Sequence, residues 1–353
     1  MRMSNAEKGK IIHKTSVGGE ALIEGIMMRG PKGDAMSVRL PDGSIDTEFL
    51  DYKSFTKRSK FFKIPIIRGF FGFIDSMILG YKSLMKSAEK ACDEDVEEEE
   101  LSRFEKWLND KFGEKIIAVV SSIGMVLGVA LAFVLFFWLP SFIFEAVSST
   151  VENGFSNWGS TMLSVITGNG KSLCAALAPY KGLFEGVLKM LLFVAYIAVV
   201  SRSKDINRVF QYHGAEHKTI FCYEKGLELT VENVKAQSRF HPRCGTSFIF
   251  MMLLVGICFS TCLSLVFPQS IVNNRVIWVL IKFLILPVLM GIGYEIIKFA
   301  GRHDGIIVRI LSAPGLWMQR LTTKEPSDDG IIEVGIASLK AVITDNPEDD
   351  RIK

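Results

Sequence analysis

The chain has 353 residues, of which 49% are hydrophobic, and its mean hydropathy is +0.28. This hydropathy is too high for an ordinary soluble protein, and it also excludes a disordered chain. The 41 basic and 38 acidic residues nearly cancel to +3, so no basic excess indicates nucleic-acid binding, and six cysteines are too few for a disulfide-rich scaffold. Because the charged N-terminus predicts no secretory signal, we expect the chain to enter a membrane through internal spans.

Residues 1–60 are predicted to form a cytosolic N-terminal segment with one β-hairpin. In residues 35–49 (AMSVRLPDGSIDTEF), apolar and polar side chains alternate on both sides of a Pro-Asp-Gly turn. This alternation is typical of two strands joined by a tight turn.

Residues 61–115 are predicted to contain interfacial helices and an acidic linker. Residues 61–88 are apolar, but three residues interrupt the pattern, namely Pro65, Arg68 and Asp75. Such a segment suits a helix that lies in the membrane interface or enters it partway, and the alternative is a helix packed on the cytosolic part. Residues 93–100 are an acidic run, for which we expect a solvated linker. Residues 102–112 are predicted to form a short amphipathic helix.

Residues 116–300 are predicted to form a membrane domain with four transmembrane helices. A span needs about 20 predominantly apolar residues. The segments that meet this requirement are 116–144, 182–200, 247–267 and 276–297. We therefore expect a mainly α-helical, polytopic membrane protein with a small cytosolic α+β part.

The charges of the connecting segments predict the orientation of these spans. Eight lysines and arginines lie in residues 201–246 and two in residues 145–181, and the more basic side normally faces the cytosol. Both termini would then also be cytosolic, with an interfacial helix and a cytosolic helix in residues 301–353. Because the cytosol is reducing, we expect Cys222 and Cys244 to be free thiols or metal ligands.

The basic segment 201–246 also contains the residues that indicate chemistry. His213 and His217 are four residues apart, so on a helix they share one face and can bind one metal ion. Glu216 completes the pattern H-x-x-E-H, the spacing of inverted zinc proteases. In that chemistry the two imidazoles bind zinc and the carboxylate takes a proton from water.

Three further residues are candidate ligands for a zinc or other divalent transition metal ion. His241 and Cys244 form an H-x-x-C pair, and Glu295 is a carboxylate within the fourth predicted span, where an ionisable group indicates a partner. If His241 and Cys244 join His213 and His217, the site is closed and structural. If Glu295 is the third ligand instead, one position stays open and the site is catalytic.

Four more charged residues are candidates for substrate binding. Glu20, Glu24 and Arg29 lie in the segment GGEALIEGIMMRGP, and Arg243 precedes Cys244. The alternative is that the first three make local ion pairs on a packed helix and that Arg243 pairs with a loop carboxylate.

Four segments resemble the YqhQ-like family of bacterial membrane proteins: VGGEALIEGIMMRGP, FQYHGAEHKTIFCYE, RFHPRCGTSF and LTTKEPSDDGIIEVGIASLKAV. The resemblance extends from about Val17 to about Val342. It implies a protein of the bacterial cytoplasmic membrane with a domain of unknown function and the label of a predicted metal-dependent enzyme. The residues that match the family motifs are His213, Glu216, His217, His241 and Cys244.

Two functions remain open at this point. The first is a membrane-embedded metal-dependent hydrolase that acts on membrane proteins or lipids at the cytosolic interface. The second is a non-enzymatic scaffold or accessory factor, with a structural metal site, in membrane-protein assembly or envelope maintenance. A transporter is a weaker hypothesis, because the sequence has no internal repeat. The expected partners are the lipid bilayer and membrane proteins, and the sequence predicts no oligomeric state.

Overall fold

The computed structural model describes residues 11–55, 59–91, 114–153, 180–272, 274–303 and 305–352. The predicted linker 93–100 and the predicted helix 102–112 lie outside these residues. Within them the chain is mainly helical and carries a small antiparallel sheet near its N-terminus, as the sequence predicts.

The helices follow one another along the chain with short connections between most of them. They are α1 (Ile67–Ala91), α2 (Glu114–Phe133), α3 (Leu139–Asn153), α4 (Lys181–Val200), α5 (Lys204–Glu224), α6 (Val231–Lys235), α7 (Gly245–Val266), α8 (Gln269–Val272), α9 (Arg275–Arg302), α10 (Ile306–Thr322) and α11 (Asp329–Val342). Short 3-10 helices cover Lys60–Lys63 and Pro347–Asp349.

The chain divides into two compact units, and each is discontinuous in sequence. The first comprises Met1–Glu97, Ile197–Met251 and Met290–Lys353. The second comprises Glu98–Tyr196 and Met252–Leu289. The first unit contains the sheet and the His-rich segment, and the second consists of helices in the part that the structure describes.

The sheet of the first unit has four antiparallel strands in sequence order. They are β1 (Gly18–Leu22), β2 (Gly25–Gly30), β3 (Gly33–Arg39) and β4 (Ile45–Phe49). The predicted hairpin is confirmed as β3 and β4, with Ala35 opposite Phe49 and Arg39 opposite Ile45. The hairpin of β1 and β2 was not predicted from the sequence, because β2 is buried on both faces and does not alternate.

Helices cover both faces of this sheet. On one face Ile26 and Met28 pack in a core with α5 and α11, where Tyr212, Ala215 and Leu339 are buried. The C-terminal helix α11, predicted from the sequence, is therefore part of the main core of this unit.

Helix α1 covers the other face of the sheet. Leu79 packs against Leu22 and Met36, and the buried Asp75 accepts a hydrogen bond of 2.7 Å from the Tyr52 hydroxyl. These contacts support the alternative that the segment packs on the part of the chain that carries the sheet. Its outer face still exposes apolar side chains such as Met77.

Four helical segments are long enough and apolar enough to cross a membrane. They are Val126–Val151, Lys181–Val200, Ile249–Val266 and Val276–Ile296. Their number and order agree with the prediction, and they suggest a multi-pass membrane protein. The first helix continues beyond its predicted end to Asn153, and a π-helical turn at Val134–Trp138 lies shortly before Pro140.

Two glycines let α4 approach α7 closely in the second unit. A Cβ built on Gly182 would lie 2.5 Å from the carbonyl oxygen of Ser260, and one on Gly186 would lie 2.4 Å from Cγ1 of Ile257. Small residues four apart are a common means of packing transmembrane helices, since lipid supplies no hydrophobic drive for their association.

We predict that Gly186→Leu destabilises the protein, because the added side chain would overlap Ile257. Overpacking of this kind costs about 1–3 kcal/mol or more. Thermal unfolding of the purified protein in detergent measures the effect. The matched control is Gly128→Leu in α2, where a built Cβ meets no atom of the described chain within 4 Å. Equal melting temperatures for the two variants would contradict this packing.

Candidate metal centre

Helix α5 holds the first two residues of the centre, His213 and His217, on one face, as the spacing predicts. Their ring centroids lie 4.5 Å apart. Gly214, between them, allows the segment after α10 to pass close by, since a Cβ there would lie 1.9 Å from the carbonyl oxygen of Lys324. The same segment is tied to α5 by a hydrogen bond of 2.8 Å from the Lys324 N–H to the Phe210 carbonyl.

Cys244, directly before α7, completes a group of three metal-ligand types. The Nε2 atom of His213 lies 3.1 Å from its Sγ atom. One candidate ligand atom from each of His213, His217 and Cys244 lies within 4.8 Å of the other two. Two imidazole nitrogens and a thiolate are a common donor set for zinc.

Two backbone carbonyls orient the imidazole rings. His213 Nδ1 lies 2.8 Å from the Thr322 oxygen, and His217 Nδ1 lies 2.6 Å from the Arg239 oxygen. Because a carbonyl only accepts, each Nδ1 carries a proton, and Nε2 is the nitrogen of each ring that can bind a metal ion. Ligand histidines in metal sites are commonly held by such a bond.

The electrostatics of the group favour the thiolate form of Cys244. Burial alone would raise the pKa of the Cys244 thiol, but His213 and His217 lower it well below its usual value. Burial lowers the pKa of His213, and the charge of Cys244 and their hydrogen bond raise it to about 9. The thiolate is the form of cysteine that binds metals.

Glu216 lies beside this group and outside it. Its carboxylate accepts a hydrogen bond from the Gly19 N–H, and a Cβ on Gly19 would lie 3.0 Å from its Cδ atom. Its Oε2 atom is buried and has no hydrogen-bond partner in the described part of the chain. The pKa of Glu216 is raised above its usual value, mainly by burial, and the charges of His213 and His217 counteract part of this rise. The centre therefore has a carboxylate oxygen next to three potential ligands.

His241 and Arg243 belong to a neighbouring buried cluster around Glu224. His241 Nε2 lies 3.5 Å from Oε2 of Glu224, and Arg243 pairs with the other oxygen. The Thr15 N–H also donates to Glu224, at 2.9 Å. Burial is the main cause that lowers the pKa of His241 to about 4. The predicted H-x-x-C pair is thus split, because Gln319 bonds to both the N–H and the carbonyl of His241.

Glu295, the other predicted ligand, is engaged elsewhere. Its two oxygens accept hydrogen bonds of 2.6 and 2.5 Å from Nε and Nη2 of Arg68 in α1. The sequence predicts a partner for this carboxylate, and in the structure the partner is the guanidinium group of Arg68. Neither Glu295 nor His241 is part of the three-residue group in the described chain.

The three candidates from the N-terminal motif have different surroundings. Glu24 accepts two hydrogen bonds from Arg208, at 2.6 and 2.8 Å, and Arg29 pairs with Asp34 across the sheet at 3.0 Å. Only Arg29 follows the alternative of a local ion pair, because the partner of Glu24 belongs to α5, and the motif forms β1 and β2 instead of a packed helix. Glu20 is close enough to Glu216 for burial and that charge to raise its pKa, so it is the motif carboxylate nearest the centre.

The sequence did not predict several other residues that contact the centre. The carbonyl groups of Thr322 and Arg239 are present in any residue type, so only the chain path reveals their role. Gly19 and Gly214 were visible as glycines within the quoted motifs, but nothing in their spacing indicated contacts with Glu216 and Lys324.

The family model described as "Protein of unknown function (DUF1385)" matches residues 64–345. A protein of Bacillus subtilis (strain 168) named "Uncharacterized protein YqhQ" is 35% identical over 329 residues, which is 92% of either chain. No solved structure matches the chain. The resemblance to the YqhQ-like family is thereby confirmed, and the matched regions include the whole three-residue group.

Proposed function

The chain belongs to the DUF1385 family, and from the three-residue group and the position of Glu216 we propose that this member is a membrane-embedded, metal-dependent hydrolase. His213, His217 and Cys244 would hold zinc or another divalent transition metal, and Glu216 would act as the general base. The substrate would be a peptide bond of a membrane protein or a lipid.

The donor set supports a metal of the zinc type. Two imidazole nitrogens and one thiolate match the ligands that zinc prefers, and three protein ligands leave a fourth position open, as in catalytic sites. The carbonyls of Thr322 and Arg239 would keep both Nε2 atoms directed to the ion. Such an ion would supply a water molecule of lowered pKa and would polarise the carbonyl group of a substrate.

The burial of Glu216 beside the three ligands is the observation that supports the enzymatic part of the proposal. It is buried beside the three ligands, and its Oε2 atom has no hydrogen-bond partner in the described chain. The Gly19 N–H holds the carboxylate in place. A carboxylate oriented in this way can accept the proton of an attacking water and return it to a leaving group.

The alternative function is a membrane scaffold or assembly factor with a structural metal. It is favoured by the low exposure of His217 and Cys244, which are 2% and 8% exposed, since little surface remains for a substrate. The two functions differ in the role of Glu216, which would only support a ligand histidine in the scaffold.

We further propose that the centre faces the cytosol of a bacterial cell. The basic residues of the segment that carries it support this orientation, because basic segments next to spans are retained on the cytosolic side. With four spans, both ends of the chain lie on that same side.

We expect a reporter fused after Lys353 to be active in the cytosol and inactive outside the membrane. A paired alkaline phosphatase and fluorescent protein fusion measures this, because the first is active outside and the second inside. As a control, the same pair inserted between the first and second spans should give the opposite pattern. Phosphatase activity of the C-terminal fusion alone would refute the orientation.

We expect His213→Ala with His217→Ala to remove the bound metal, because two of three ligands are lost. Elemental analysis of the purified protein measures the metal content per chain. The control is His303→Ala, which changes an exposed histidine that stacks on Phe299. An unchanged metal content in the double variant would rule out this site.

We expect Glu216→Gln to retain the metal and the fold but to lose function in cells. The change removes the base and keeps the size of the side chain, and general-base catalysis contributes a factor of about 10² to 10⁴. Complementation of a deletion strain, measured together with metal content, tests this. The exposed Glu333→Gln is the control. A Glu216→Gln protein that keeps its metal and complements fully would favour the scaffold.

A further inference from the structure

Strand β1 lies at one end of the four-stranded sheet and beside the candidate metal centre. The strand order leaves its outer edge without a partner strand in the described chain. The backbone is accessible there, because Gly18 and Gly19 are exposed and have no side chains. A free strand edge presents unpaired N–H and C=O groups, to which another extended chain can bond.

The register of β1 determines which of its backbone groups point outward. Leu22 is opposite Gly25 across a two-residue turn, so these two residues form a hydrogen-bonded pair. Along an antiparallel pair of strands, hydrogen-bonded and non-hydrogen-bonded positions alternate. Gly19 and Ala21 therefore direct their N–H and C=O groups to the outer edge.

The candidate base Glu216 lies on this edge. Its carboxylate accepts a hydrogen bond from the Gly19 N–H, which agrees with the outward direction of that group. His213 is the partly exposed member of the three-residue group, and its charge acts on both Glu20 and Glu216. A chain bonded to the outward groups of Ala21 would therefore pass beside the candidate base and the most accessible ligand.

Glu20 places a carboxylate next to the same edge. It is partly exposed, and a Cβ built on Gly80 of α1 would lie 2.6 Å from its Oε1 atom, so this glycine makes room for it. The charge of Arg29 acts on Glu20, but Arg29 forms its ion pair with Asp34. Burial and the charge of Glu216 raise the pKa of Glu20. A cation beside Glu20 would counteract that rise.

We propose that the outer edge of β1 binds the substrate as an added strand, and that the substrate is an extended peptide with a basic side chain opposite Glu20. Side chains directly opposite each other on neighbouring strands lie in contact, and opposite charges there are favourable. The backbone bonds supply affinity and the basic side chain supplies specificity. This inference rests on the proposed hydrolase function, and it selects a peptide over a lipid.

The test measures peptide binding without cleavage. The probe is the fluorescein-labelled peptide Thr-Val-Lys-Val-Thr, and fluorescence anisotropy measures its binding to the full-length Glu216→Gln protein in detergent. We expect this peptide to bind, and the matched peptide Thr-Val-Glu-Val-Thr to bind about 5-fold more weakly, because its charge is repelled by Glu20. Absence of binding by the lysine peptide, or equal binding of both peptides, would overturn the inference.

N-methylated peptides test whether the peptide binds as a strand. Alternate residues of a strand direct their N–H groups to the neighbouring strand. One peptide is therefore methylated on the lysine nitrogen and another on the nitrogens of both valines. We expect one of them to lose about 10-fold in affinity and the other to bind as the parent peptide does. Equal effects of the two modifications would contradict an added strand.

A proline substitution locates the peptide on β1. Ala21→Pro removes an outward N–H that the pairing of β1 with β2 does not use, so binding should fall while the sheet is kept. The matched control is Phe49→Pro, at an exposed residue of β4, the strand at the other end of the sheet. The control should bind the lysine peptide with parent affinity. Equal binding by the two proline variants would place the peptide elsewhere.

A charge reversal tests the contact with the basic side chain. Glu20→Lys should invert the preference, so that the glutamate peptide binds more tightly than the lysine peptide. Loss of structure cannot produce this inversion, so it decides the question if Ala21→Pro does not fold in thermal unfolding. The exposed Glu333→Lys is the control and should keep the preference for lysine. An unchanged preference in Glu20→Lys would refute the assigned specificity.

Failure of this inference and failure of the proposed function give different results. If the native protein hydrolyses a lipid while the Glu216→Gln protein does not bind the lysine peptide, the hydrolase stands and the added strand is overturned. If the peptide binds with the alternating effect of methylation while the native protein contains no metal, the strand site stands and the metal-dependent hydrolase is refuted.

Discussion

The close contact between α5 and the segment that follows α10 is the constraint on which the candidate centre depends. Gly214 permits it, because any side chain at that position would collide with the Lys324 carbonyl. The contact brings the Thr322 carbonyl to His213, and the neighbouring segment brings the Arg239 carbonyl to His217. Two imidazoles on one helix are thereby fixed by backbone groups that are distant in sequence.

Buried charges near α5 are satisfied in the same way, by partners from several parts of the chain. Lys218, the residue after His217, donates to the carbonyls of Lys235 and Gln237 at 3.0 and 2.9 Å and pairs with Glu325. Glu224 is bonded by Thr15 and Arg243. Because breaking such a buried network leaves an uncompensated charge, these bonds specify one arrangement of the segments around the helix.

Some residues of the N-terminal segment GGEALIEGIMMRGP stabilise the fold, and others lie next to the candidate metal centre. Glu24 and Arg29 make ion pairs that fix the sheet against α5 and within itself. Gly19 and Glu20 lie towards Glu216, where a backbone N–H and a second carboxylate influence the same group. A short β-hairpin thus contributes to the candidate centre through its backbone as much as through its side chains.

The sequence by itself determined the features that depend on local pattern. Apolar runs of sufficient length predicted four spans, alternation around Pro41 predicted the β3–β4 hairpin, and the spacing of His213 and His217 predicted a shared helical face. Four long sequence motifs predicted the family. These predictions succeed because helix periodicity, strand alternation and span length are properties of consecutive residues.

Only the tertiary structure decided which distant residues meet. Cys244 joins the two histidines, whereas His241, three residues earlier, faces Glu224, and Glu295 pairs with Arg68. The sequence offered all three as candidate ligands, His241 and Cys244 for a closed site and Glu295 for an open one. The choice among them depends on the path of the chain and on competing buried partners, because a side chain binds whatever the fold brings within a few ångströms, and spacing along the chain does not encode that distance.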